Sequence, residues 1–132
     1  MTATIRENEG HGCLVIDYVG EAAIGNQGNI LNPEGVALLV TESHFWLTTA
    51  ATAAATINIG HGVTGADDAS LHGALPLNGG AGTAWMGFHP AVTQDAAELE
   101  VIAAGQFITF TTAAQSALPC VGVLYIKYIR CP

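Results

Sequence analysis

The chain has 132 residues, half of them hydrophobic and only 11% charged, with a formal net charge of −8. That length is one domain with a core of its own. Arg6, Lys127 and Arg130 are the fixed cations, so the basic patch that nucleic acid or anionic lipid requires is missing, and direct binding to either is excluded as a reading.

The charged share is about half that of an ordinary soluble domain. Small residues cover part of the resulting apolar surface, and oligomer interfaces, which are poor in charge, would cover it better. No run approaches the length of a membrane-spanning helix. Cys13, Cys120 and Cys131 show no CxxC or zinc spacing. If 121–129 is one strand of roughly 30 Å at about 3.3 Å per residue, Cys120 and Cys131 cannot pair within a chain. The cysteines therefore read as reduced, small packing residues.

In chain order, "MTATIRENEGHG" at 1–12 is polar and acidic, unlike a signal or transit peptide. It is expected to be an arm, made and folded in a cytoplasm, that precedes a single domain at 13–132. "CLVIDYV" alternates, with Leu14, Ile16 and Tyr18 on one face and Val15, Asp17 and Val19 on the other. "NPEG" at 32–35 is a turn that leads into "GVALLVTE", apolar on both faces. "HFWLTT" sets Phe45 and Leu47 opposite His44 and Trp46, and "TINIG" sets Ile57 and Ile59 opposite Thr56 and Asn58. Strict alternation in β-branched and aromatic residues marks strands. The intervening "AATAAA" has no apolar residue at helical spacing, so 41–62 reads as a hairpin with a small-residue link.

Residues 62–88 form a Gly-, Ala- and Asp-rich excursion with two short strands, around 75–77 and 84–88. "PAVTQDAAELEV" at 90–101 can hold one helical turn capped by Thr93, with Asp95 in its first turn. "FITFTT" sets Ile108 and Phe110 opposite Phe107 and Thr109. "GVLYIKYIR" sets Leu124, Ile126 and Tyr128 opposite Val123, Tyr125, Lys127 and Ile129. The expected fold is all-β: an antiparallel sandwich of the jelly-roll type with about eight strands and little or no helix. Strands apolar on both faces suit a sheet whose outer side is covered by another subunit.

Chemistry-bearing patterns are sparse. His61 and His72, near Asp67 and Asp68, are the best metal candidates, yet they read more simply as solvated loop residues. "ADDAS" lacks the carboxylate spacing of a calcium loop. Ser43, Ser70 and Ser116 stand in no nucleophile elbow, and Cys120 has no neighbouring base to lower its pKa. Glu98 and Glu100 would share one face of a strand, which protects an edge more readily than it makes a glycosidase pair. Gly60, Gly62 and Gly65 open no helix, so they cradle no phosphate. No catalytic residue, metal or cofactor is assigned, and the chain does not read as an enzyme. Trp46, Trp85, Tyr18, Tyr125 and Phe88 could make a sugar-stacking platform, although packing is the simpler use of them.

The segments "NPEGVALLVTESHFWLTTAATAAATINIGHGVTG" (32–65), "AAGQFITFTTAAQSA" and "VGVLYIKYIR" resemble small phage virion proteins, the capsid decoration (cement) proteins with a jelly-roll sandwich. The resemblance covers about two-thirds of the chain, from Asn32 onward, and contains no catalytic signature. It implies a homotrimer on the exterior of a phage capsid that bridges subunits of the major capsid protein. Under that reading the trimer seam is expected on Val36, Leu38, Val40, Val123, Tyr125 and Ile129. The capsid contact is expected on Thr4, Ile5, Arg6 and Glu7 of the arm. The competing class is a receptor- or glycan-binding tip of a tail fibre or spike, which exposed Trp85 and Phe88 beside acids and amides would favour. A cupin-like metalloenzyme is the third class.

Overall fold

The computed structural model describes residues 1–8, 10–86 and 100–131. In chain order the strands are β1 (Thr2–Asn8), β2 (His11–Val19), β3 (Gly25–Leu31), β4 (Ala37–Thr49), β5 (Thr56–Gly62), β6 (His72–Pro76), β7 (Ala84–Met86), β8 (Val101–Ile102), β9 (Phe107–Ala113) and β10 (Val121–Cys131). No helix occurs among the described residues. The helical turn considered around Thr93 and Asp95 lies outside them.

Two antiparallel sheets face each other. One runs β1-β2-β10-β4, with β7 and β8 both paired to the far side of β4, and the other runs β3-β9-β5-β6. β7 meets His44–Trp46 and β8 meets Leu38 and Leu39, so the two short strands occupy one strand position. Counted so, and with β1 set apart as an added edge, the eight remaining positions have the order of a jelly roll.

The alternation predicts the core well in β2, β5, β9 and β10. Leu14, Ile16, Tyr18, Ile57, Ile59, Ile108, Phe110, Leu124, Ile126 and Tyr128 are all buried between the sheets. Tyr18 stacks on Phe110 at 5.6 Å and meets Phe45 edge-on at 6.2 Å, which ties three strands through aromatic contact.

Three expectations are corrected. First, β4 is a single strand of thirteen residues rather than two runs. Its register with β10 shifts between Glu42↔Lys127 and Val40↔Tyr128, leaving Thr41 as an extra residue. A bulge of this kind reverses which alternate side chains face inward. Ser43, Phe45 and Leu47 point into the core on one side of it, and Leu38 and Val40 on the other.

Second, 41–62 is not a hairpin, because β4 and β5 belong to different sheets. The alanine-rich link is a corner between them: Ala51 and Ala55 are buried, and Ala51 N–H donates to the Leu77 carbonyl while Leu77 N–H donates to that of Ala55. Small side chains let the chain turn in at the mouth of the sandwich. Third, the segment expected to be a free arm is a strand for most of its length. Thr2–Asn8 pair with His11–Asp17 in unbroken antiparallel register.

The acidic excursion after β5 folds back over the outer side of β5 and β9. Asn58 Nδ2 donates to Asp67 Oδ1 at 3.0 Å, Gly65 N–H to Asn29 Oδ1 at 3.0 Å and His61 N–H to Asp68 Oδ1 at 3.3 Å. Burial raises the pKa of the Asp68 carboxyl, but hydrogen bonds from the Ser70 hydroxyl, the Ser70 N–H and the His61 N–H outweigh it and hold the group below its usual value. Thr109, on the strand beneath, is fully buried.

This strap fits only because residue 60 has no side chain. A Cβ at Gly60 would sit 2.0 Å from Asp68 Oδ1 and 2.6 Å from its carbonyl oxygen. Gly60→Ala is therefore expected to lift the strap, cost about 1–3 kcal/mol and open 63–70 to proteolysis. A lowered urea midpoint together with new cleavage in that segment is the result to look for.

Candidate interaction face

With one sheet covered by the chain's own strap, the outer face of β2-β10-β4 is the broad open surface of the described structure. The strand registers lay its residues out in rows. Val19, Val121 and Thr49 form the first row, Asp17, Val123 and Trp46 the second, and Val15, Tyr125 and His44 the third. Cys13, Lys127 and Glu42 form the fourth, and His11, Ile129 and Leu39 the fifth. The first three rows make an apolar patch in which Val19 is 58% and Trp46 43% exposed. Asp17 stands at its edge, bound by the Thr2 hydroxyl at 3.0 Å.

A charged row borders the patch. Lys127 Nζ lies 3.3 Å from Glu42 Oε1, and His44 Nε2 lies 2.8 Å from Glu42 Oε2. The hydrogen bond from His44 holds the Glu42 carboxyl below its usual pKa, partial burial works against it, and Lys127 adds to the lowering. The face is thus apolar over half its length and bordered by a polar band, an arrangement that buries well against a second protein surface.

The expected seam residues do not all meet there. Val123 and Tyr125 lie in the patch, and Ile129 lies on the same face beyond the charged row. Leu38 and Val40 are inside the sandwich, 0% and 1% exposed, because of the bulge at Thr41, so they cannot form part of an external seam. Val36 packs against the core from the turn that precedes β4. Of the expected capsid-contact residues, Thr4 is exposed on β1. Ile5, Arg6 and Glu7 continue that strand, and their side chains lie outside the described part.

Two polar clusters went unseen in the sequence because their members are distant along the chain. Tyr128 Oη donates to Glu34 Oε2 at 2.6 Å, and Arg130 Nη2 stands 2.5 Å from the same oxygen. This clasps the β3–β4 turn to the end of β10. Hydrogen bonds from Arg130 and then Tyr128 hold the Glu34 carboxyl below its usual pKa against the opposing effect of burial. In the second cluster, His61 Nε2 meets Glu100 Oε2 at 2.9 Å and its Nδ1 meets Gln106 Oε1 at 3.1 Å.

His61 and His72 are thus not solvated loop residues, nor do their rings join Asp67 and Asp68. His72 lies in β6, buried, with Nε2 2.9 Å from the Ser43 hydroxyl of β4. Burial first, and then the nearby His44, push its pKa down to about 4. A Ser–His pair can activate a nucleophile, but Ser43 is 0% and His72 2% exposed, so no substrate reaches it. It bolts one sheet to the other. Burial likewise pushes the Cys120 thiol up to about 11, which makes it an inert packing group. No set of three or more His, Cys, Asp or Glu groups suited to a metal ion occurs among the described residues.

Of the aromatic platform, Trp46 and Tyr125 share the open face and Tyr18 is buried in the core. Trp85 pairs with Phe45 across β7 and β4 and stacks on its ring at 6.2 Å, toward the core, whereas Trp46 points to the opposite side of the sheet. Phe88 and Glu98 lie outside the described residues.

No protein-family model matches the sequence, and no curated protein matches it. Solved structures do. A chain of the capsid of Ralstonia phage GP4 superposes with a TM-score of 0.63 at 15% identity, over 100% of this chain and 92% of that one. A chain of the capsid asymmetric unit of cyanophage Pam1 superposes with a TM-score of 0.53 at 14% identity, over 98% of this chain and 86% of that one. At such identities the likeness is one of fold: this is a jelly-roll sandwich of the kind found in phage capsids.

Proposed function

We propose that this chain is a virion structural protein, a non-enzymatic decoration protein that sits as a homotrimer on the outside of a phage capsid and bridges subunits of the major capsid protein. The observation that carries the reading is the end-to-end likeness to chains of two phage capsids. The open apolar face of β2-β10-β4 supports it, since a chain this poor in charge needs a partner for such a surface. Synthesis in the host cytoplasm, before the shell is decorated, belongs to the same reading.

The mechanism is thermodynamic. A protein that binds the assembled shell and not its free subunits stabilises the shell by mass action. A trimer that touches three subunits gains effective concentration at its second and third contacts. The excess of acid keeps the free protein dispersed and complements basic patches on the shell. The glycan-binding alternative draws no support from the tryptophans, which face opposite ways.

Val123 and Tyr125 are the seam residues that lie in the patch. The double variant Val123→Asp, Tyr125→Asp is expected to be monomeric by light scattering at concentrations where the wild type is trimeric. A double variant of native oligomer size would move the seam off this face.

A further inference from the structure

A ring of three copies is heterologous: each chain brings two different surfaces, and one patch cannot close the ring by meeting itself. The outer face of β2-β10-β4 is one of them. We infer that the other is the end of the sandwich built by residues 20–24, 50–55, 77–83 and 114–120, and that this end seats on the β10 face of the next copy. The inference rests on the trimeric reading above and names the surface that reading lacks.

The strand registers bring these four segments together. Val121 pairs with both Val19 and Thr49, so β2 and β4 stop where β10 begins. Backbone hydrogen bonds knit the segments to one another: Gly20 N–H to the Cys120 carbonyl at 2.8 Å, Ala117 N–H to that of Glu21 at 3.2 Å, and Thr52 N–H to that of Leu118 at 3.1 Å. The end is therefore a formed surface before any partner arrives, which spares ordering entropy on association.

Its composition suits a second copy of this chain. Chains of charge −8 repel one another, and they meet most readily where acids are scarce. Across the four segments the only charged residue is Glu21, while Ile24 is 57% and Leu118 48% exposed. Ile24 has Glu21 three residues before it, but no acid lies within ten residues of Leu118 on either side, whereas Val63 is followed by Asp67 and Asp68 and Val101 directly adjoins Glu100. A partner with basic patches would be drawn to those acidic regions instead. Val19, at the corner, joins the end to the open face.

The test uses two double variants, Ile24→Asp with Leu118→Asp at the end and Val123→Asp with Tyr125→Asp on the face, with folding checked by circular dichroism. Each alone is expected to be monomeric by light scattering. Mixed in equal amounts they are expected to form a one-to-one pair, because the intact face of the first still accepts the intact end of the second. Val63→Asp, at the opposite end, should remain trimeric. If aspartates at the end unfold the chain, Ile24→Ser with Leu118→Ser is read instead, and should raise the dissociation midpoint at least about tenfold, about 1.4 kcal/mol.

An end variant that stays trimeric overturns the inference and leaves the trimer standing. So does a mixture of folded variants that stays monomeric. A wild type that is monomeric at every concentration removes the trimer itself, and the inference with it.

Discussion

Phe45→Ala is expected to lower the stability of the chain by about 3–5 kcal/mol, the largest loss of any single substitution considered. The ring is fully buried in β4 and touches three others: Tyr18 edge-on at 6.2 Å, Trp85 stacked at 6.2 Å and His72 tilted at 6.4 Å. It also fills the space left by Gly122 on β10, where a Cβ would come within 2.4 Å of Phe45 Cζ. Truncation opens a cavity bounded by two sheets that cannot both move in, because the Ser43–His72 hydrogen bond and the alanine corner hold their spacing. Domains of this size are stable by about 5–15 kcal/mol, so the loss takes a large part of the total. A urea titration should show the midpoint fall steeply, with little change in slope. A midpoint shift worth less than about 1 kcal/mol of stability would mean that the ring is not the keystone of the core.

The second large effect is a dependence on pH. In the folded chain His72 has its pKa pushed down to about 4 by burial, with His44 contributing, against 6.5 for a free side chain. Ser43 Oγ faces its Nε2, Phe45 packs against the ring, and Nδ1 has no hydrogen-bond partner among the described residues. Below pH 6.5 the unfolded chain takes up a proton that the folded chain refuses until about pH 4. Stability is then complete above 6.5 and declines as pH falls toward 4, by about 3 kcal/mol in all. The carboxyls of Glu34, Glu42 and Asp68, all held below their usual values of 4.5, 4.5 and 3.8, lose their share as pH falls below those values, so the two windows overlap only at the acid edge of the first. His72→Asn should flatten the curve between pH 6.5 and 4 and leave the acid limb below it. A curve that is flat over that range in the wild type would show that His72 does not stay neutral there.

What could be read from the sequence was periodicity. In β2, β9 and β10 the alternation runs unbroken, and Leu14, Ile16, Tyr18, Leu124, Ile126 and Tyr128 fall on the inner face as expected. In β4 the pattern broke at Thr41. A bulge leaves no mark that distinguishes it from a strand boundary, so one strand looked like two and Leu38 and Val40 were turned outward. The alanine corner failed for a different reason: alternation shows that two strands flank a link, but not that they belong to different sheets. The open face was legible in part, since Val123, Tyr125 and Trp46 are set opposite core residues by the same alternation. The Glu34–Tyr128–Arg130 clasp and the Ser43–His72 bolt were not, because each joins residues that only the folded topology brings together. Nor could the strap over β5 be read, although Gly60 carries its one local trace.

A protein proposed to sit on the outside of a shell should pellet with that shell. Purified protein is mixed with phage capsid shells of the proposed parent virus from which it has been stripped, and the shells are sedimented over a range of protein concentrations. Saturable co-sedimentation is expected, with shells that withstand a higher temperature once saturated. Protein that stays in the supernatant at every concentration, with shells no more heat-resistant than before, would contradict that placement.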